Sequence, residues 1–139
     1  MKNTNINKET LQPADVTQPF GSYSQGLKVS INGNADFIFI TGQIALDLDG
    51  KVLHPGDAVA QAKIVFERIR KILEEGGATM KDLVKAQIFL TDMSSFAEVK
   101  KIRNSYFDEF APASTLVEVS SLAREGCCIE VEAMAIKNN

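Results

Sequence analysis

Ile129-Glu130-Val131-Glu132-Ala133-Met134-Ala135, near the C-terminus, sets the architecture of this chain. Read as a strand, it places Ile129, Val131, Ala133 and Ala135 on one face and Cys128, Glu130, Glu132 and Met134 on the other. The wholly apolar face must be covered, and two upstream segments have the means. After Asp57, a good N-cap residue, Ala62, Val65, Phe66, Ile69, Ile72 and Leu73 recur at helical spacing, with Lys63, Glu67, Arg70, Lys71 and Glu74 opposite them. Gly76-Gly77 stops that helix. A second helix, capped by Ser94 or Ser95, carries the stripe Phe96, Val99, Ile102, Tyr106 and Phe110, and Pro112 follows its end.

The remaining segments read as strands. Gly26 to Ile31 and the β-branched, aromatic run Phe37-Ile38-Phe39-Ile40-Thr41 flank Asn32-Gly33-Asn34 and predict a hairpin. Gly42 closes this run, and Asp47-Leu48-Asp49-Gly50 is a second turn. Leu83 to Thr91 predicts a strand with Val84, Ala86, Ile88 and Leu90 on one face, Thr115 to Val119 a further one, and Cys128 to Ile136 the last. The order β-β-α-β-α-β-β predicts an α+β fold, one mixed sheet with both helices on one face. The opposite face keeps too many apolar residues to stay wet, so it is expected to pack against further copies of the chain.

A length of 139 residues with 45% hydrophobic and 24% charged residues fits a single globular domain. Residues 1–18 read as a polar N-terminal tail and 19–137 as the domain. A net charge of −3 with scattered Lys and Arg argues against nucleic acid as a partner. No apolar stretch approaches the ~20 residues of a membrane helix, and the N-terminus lacks the apolar core of a secretory signal. A cytoplasmic protein with no membrane partner is expected. Cys127-Cys128 reads as two small reduced residues, a vicinal disulfide or reactive thiol being the alternative. His54 is the only histidine, so no zinc constellation is expected.

Chemistry has few places to sit. Glu130 and Glu132 share the face assigned to association. They are either solvated carboxylates or a general acid/base in a pocket between subunits, tunable by burial and by each other. Ile40-Thr41-Gly42-Gln43 offers a hydroxyl and a glycine at a strand end. Gly21-Ser22-Tyr23-Ser24-Gln25-Gly26 is glycine-bounded but lacks the lysine and following helix of a phosphate loop.

Taken in order, Gly21–Gly26, Phe39–Ile44, Val84–Asp92, Pro112–Val119 and Ile129–Ala135 resemble the Rid family, also called YjgF, from about Pro19 to Lys137. The resemblance implies a chorismate-mutase-like fold, a homotrimer with small-molecule clefts between subunits, and hydrolysis of enamines and imines to a carbonyl compound plus ammonia without metal or organic cofactor. It implies substrate contacts from Tyr23, Thr41 and Gly42, and a water-holding carboxylate at Glu130. The family's carboxylate-gripping arginine corresponds to Ser114, its frequent cysteine to Leu116, and a pocket asparagine to Lys100. Serine cannot replace a bidentate guanidinium. The expectation is therefore either a hydrolase for a non-standard substrate or a ligand-binding, regulatory trimer that has lost deaminase activity, with Lys100 or Arg124 as candidate substitute cations. The endoribonuclease label attached to some relatives is disfavoured by the acidic charge and the lack of a histidine pair.

Overall fold

The structure, a computed structural model, describes residues 6–107 and 111–139. Six strands form one mixed sheet: β1 (Ile6–Leu11), β2 (Gly26–Ile31), β3 (Ala35–Gln43), β4 (Leu83–Leu90), β5 (Ala113–Glu118) and β6 (Ile129–Asn138). Their spatial order is β1-β2-β3-β6-β4-β5, with every neighbouring pair antiparallel except β4–β5. Helix α1 (Ala58–Glu75) joins β3 to β4, and α2 (Phe96–Phe107) is the crossover that sets β5 parallel to β4.

Local chemistry explains these boundaries. Asn32 and Gly33 take φ of 53° and 72° and turn the β2–β3 hairpin, a conformation asparagine and glycine tolerate best. The Asp57 carboxylate accepts the Ala60 N–H at 3.0 Å and caps α1. Asp92, rather than Ser94 or Ser95, is the cap before α2: it accepts the Ser94 N–H and opens a single 3₁₀ turn, Met93–Ser95, that leads into the helix.

The core lies between the sheet and α1. Val65, Phe66, Ile69, Ile72 and Leu73 are buried there against Ile38, Ile40, Ile88, Ile129, Val131 and Ala135. Each such side chain is worth about 1.5–3 kcal/mol in removal from water. Phe66 stacks on Tyr106 and meets Phe107 edge-on at 5.5 and 5.7 Å, which fastens α2 to α1. Phe110, expected in the α2 stripe, lies outside the described residues.

Two expectations need correction. Ile6–Leu11, read as part of a polar tail, forms edge strand β1 on β2, and Leu11 and Val16 are buried in the core. The segment shows no apolar alternation of its own, because its strand conformation comes from pairing with β2. Val84, expected to share a face with Ala86, is exposed, whereas Ala86 and Leu83 are buried. The pairing of β4 with β6 shifts between Leu83 and Lys85, and that bulge reverses the alternation for one residue.

The face opposite the helices carries Leu27, Phe37, Phe39, Met134 and Phe89, with Lys85, Gln87 and Glu132 among them. Phe39 is 44% exposed there. A shallow depression of about 480 Å³ opens on this face beside Phe39, Lys85, Gln87 and Glu132. Among the described residues no helix is long and apolar enough to cross a membrane.

Candidate functional site

At Ile40–Gln43 the pairing of β3 with β6 slips: Ile40 faces Ala133 and Gln43 faces Val131, so three steps along β3 match two along β6. Such a bulge re-aims side chains. Here Gln43 turns into the core, Thr41 turns outward, and Gly42 comes to lie beneath the Glu130 carboxylate. A Cβ on Gly42 would stand 2.2 Å from Glu130 Oε1 and 2.8 Å from its Cδ, so only glycine accommodates the carboxylate where it is. Glu130 is half-buried, whereas Glu132, one pleat on, is exposed. Burial first, and then the charge of Glu132, raise the Glu130 carboxyl above its ordinary pKa.

Glu130, Gly42 and Thr41 line a cavity of about 330 Å³ together with Tyr23, Phe20, Gln25, Arg68 and Arg124. The Thr41 hydroxyl donates to the Ser24 carbonyl at 2.6 Å, and the Thr41 N–H to the Gln25 carbonyl at 3.0 Å, tying the Gly21–Gly26 loop to the end of β3. The Tyr23 hydroxyl accepts the Phe20 N–H at 3.3 Å. A buried chain of amides forms the back wall. Arg68 Nε donates to Gln43 Oε1 at 3.0 Å, Gln43 Nε2 to Gln25 Oε1 at 2.7 Å, and Gln25 Nε2 to the Thr17 carbonyl at 2.8 Å. A buried hydrogen-bonded network of this kind rigidifies a cavity wall. Across the opening, the Arg124 guanidinium lies 4.7 Å above the Phe20 ring and donates to the Gly50 carbonyl at 3.0 Å.

Of the residues singled out in the sequence, Tyr23, Thr41, Gly42 and Glu130 meet in this cavity, and so does Arg124, one of the two candidate cations. Ser114, Leu116 and Lys100 do not line it. Ser114 pairs with Ala86 and Leu116 with Ile88, so both point to the helix side of β5, and Leu116 packs on the core. Lys100, on α2, sets its ammonium 5.9 Å from the Phe96 ring. Within one chain the expected residues therefore form two separate groups.

Arg68 was not anticipated. It falls with Gln61, Val65 and Ile72 on the buried stripe of α1, and a charged residue inside such a stripe is the signal that could have revealed it. Both cysteines are free; Cys127 is buried, and burial raises its thiol pKa. Among the described residues no group of three His, Cys, Asp or Glu side chains is placed to share a metal ion.

The family model described as Endoribonuclease L-PSP matches residues 14–137. A RutC family protein of Pyrococcus abyssi is 42% identical over 94% of this chain and 98% of its own length. A mouse protein named 2-iminobutanoate/2-iminopropanoate deaminase is 31% identical over 96% of this chain and 95% of its own. Among solved structures, a Yersinia pestis protein of the conserved Rid family superposes with a TM-score of 0.80 at 30% identity, covering 93% of this chain and 98% of that one. With a domain match over most of its length and relatives of this identity from end to end, the chain belongs to the Rid family, also called YjgF.

Proposed function

We propose that the chain is a cofactor-free enamine and imine hydrolase that works as a homotrimer, with Glu130 as its proton-handling residue. The single observation that carries this reading is the Glu130 carboxyl seated on Gly42. It is half-buried, its pKa is raised, and it faces a cavity shared with Tyr23 and Thr41. A base of that kind accepts a proton from water as the water oxygen bonds to the imine carbon. Glu130 passes that proton to the nitrogen, then takes the hydroxyl proton of the tetrahedral adduct and delivers it to the amino group as the C–N bond breaks, releasing ammonia and the carbonyl compound. An enamine enters the same sequence after its carbon is protonated to the imine.

Ser114, exposed on edge strand β5, reaches the cleft from a neighbouring copy. The exposed apolar sheet face around Phe39 supports association of that kind. The name of the mouse relative supports the reaction class. Ser114, where the family's arginine is expected, favours a substrate other than the usual 2-imino acids. The same residue motivates the competing reading, a trimer that binds its ligand without turnover.

Imines and enamines generated in situ, with and without a carboxylate, test both readings. Glu130→Gln should lower turnover about 10²–10⁴-fold while the assembly persists, and Glu132→Gln far less. Full turnover in Glu130→Gln removes Glu130 from the mechanism. Absence of turnover across the panel, with ligand binding retained, favours the non-catalytic trimer.

A further inference from the structure

We propose that Arg68 is the anion anchor of this cavity, holding the carboxylate of a small ligand from the α1 side in place of the guanidinium missing at Ser114. The inference deepens the reading above, since it names the ligand class of the same site. Arg68 is 7% exposed and forms no ion pair among the described residues. A guanidinium has five N–H donors and stays protonated at any physiological pH. Its Nε donates to Gln43 Oε1, and its Nη1 donates to Thr17 Oγ1 at 3.2 Å and the Leu46 carbonyl at 3.3 Å. All three acceptors are neutral. Nη2 donates to no acceptor among the described residues, yet no buried side-chain nitrogen or oxygen there lacks a partner, so Nη2 is open to a hollow.

Arg68 borders two hollows. The outer one, beside α1, carries Asp15, Asp47, Asp49 and Glu67 and repels an anion. The cavity of Tyr23 holds a second guanidinium, Arg124, also free of any ion pair among the described residues, and its only carboxyl is Glu130. Burying a charge without a counter-charge is costly, and a ligand carboxylate on Nη2 offsets that cost through a charge-assisted hydrogen bond. The volume of about 330 Å³ suits a small carboxylate.

The experiment compares pyruvate with its neutral amide, pyruvamide, by titration of the intact protein. Wild type should bind pyruvate more tightly than pyruvamide. Arg68→Gln should weaken pyruvate at least about 10-fold, the size of one lost charge-assisted hydrogen bond, and leave pyruvamide unchanged. Should Arg68→Gln fail to fold, the side-chain ¹⁵N resonances of Arg68 in wild type decide: pyruvate must shift them and pyruvamide must not. Equal affinity for the two probes, no pyruvate binding, or pyruvate binding that leaves Arg68 unmoved overturns the proposal. Binding is read without turnover, so loss of the hydrolase reading would leave this result standing, and the reverse.

Discussion

Substituting Gly42 by alanine tests the geometry on which the site rests. The new Cβ would lie 2.2 Å from Glu130 Oε1, 2.8 Å from Cδ and 3.0 Å from Cγ. Carbon and oxygen need roughly 3.5 Å to sit at ordinary contact, so the carboxylate must retreat by more than about 1 Å. Gly42 does not occupy the left-handed region, so backbone strain adds nothing to the cost. The obstacle is the end of a side chain rather than backbone, which puts the loss of stability at the low end of overpacking, about 1 kcal/mol. Urea denaturation of Gly42→Ala in the wild-type and Glu130→Ala backgrounds isolates the contact. The loss should appear in the first and vanish in the second, where Cγ, Cδ and Oε1 are gone, a coupling of about 1 kcal/mol. On an active substrate the displaced carboxylate should cost on the order of 10²-fold in turnover, since a 1 Å misplacement of a reacting group has that effect. Equal destabilisation in both backgrounds would mean that Glu130 does not rest on Gly42, and the carboxylate's assigned position would have to be abandoned.

Three further outcomes follow from the structure. The folded pKa of Glu130 is raised, so its contribution favours folding below the unfolded value near 4.3 and is lost as pH rises through the folded value; the stability of Glu130→Gln relative to wild type should therefore grow between about pH 4 and neutrality, as read by denaturation across that range, and a flat or falling difference contradicts it. Gln61 is fully buried, donates to the carbonyls of Leu53, His54 and Gly126, and accepts the Cys128 N–H at 2.7 Å; Gln61→Leu should cost at least about 3 kcal/mol in chemical denaturation by stranding those backbone groups. Wild type should deaminate 2-iminopropanoate more slowly than the mouse relative assayed beside it, and Ser114→Arg should raise the rate; a matching wild-type rate would show that Ser114 is no handicap.

Much of this protein is written in local pattern. The period-two alternation of Ile129–Ala135 separated a core face from one carrying Glu130 and Glu132, and the structure keeps that division. Asp57, Gly76 and the stripe from Ala62 to Leu73 bounded and oriented α1, because capping and helical periodicity need only neighbours in sequence. The order of short motifs identified the family and brought Tyr23, Thr41, Gly42 and Glu130 forward as site residues. Local pattern gave no sign of what depends on a partner strand. Residues 6–11 are a strand only because β2 pairs with them, and Val84 faces outward only because β4 slips one residue against β6. The bulge at Thr41–Gly42 depends in the same way on the register of β3 against β6. Tertiary structure alone decided which cation belongs to the cavity. Arg124 and Lys100 were equal candidates in the sequence, but a guanidinium on the loop after β5 reaches Phe20 and the opening, while an ammonium on α2 lies over Phe96, away from the cavity. Arg68 was hidden for the converse reason. Its place in an apolar stripe fixes that it is buried, but only the fold supplies Gln43, Thr17 and the Leu46 carbonyl, which hold its guanidinium at the cavity wall.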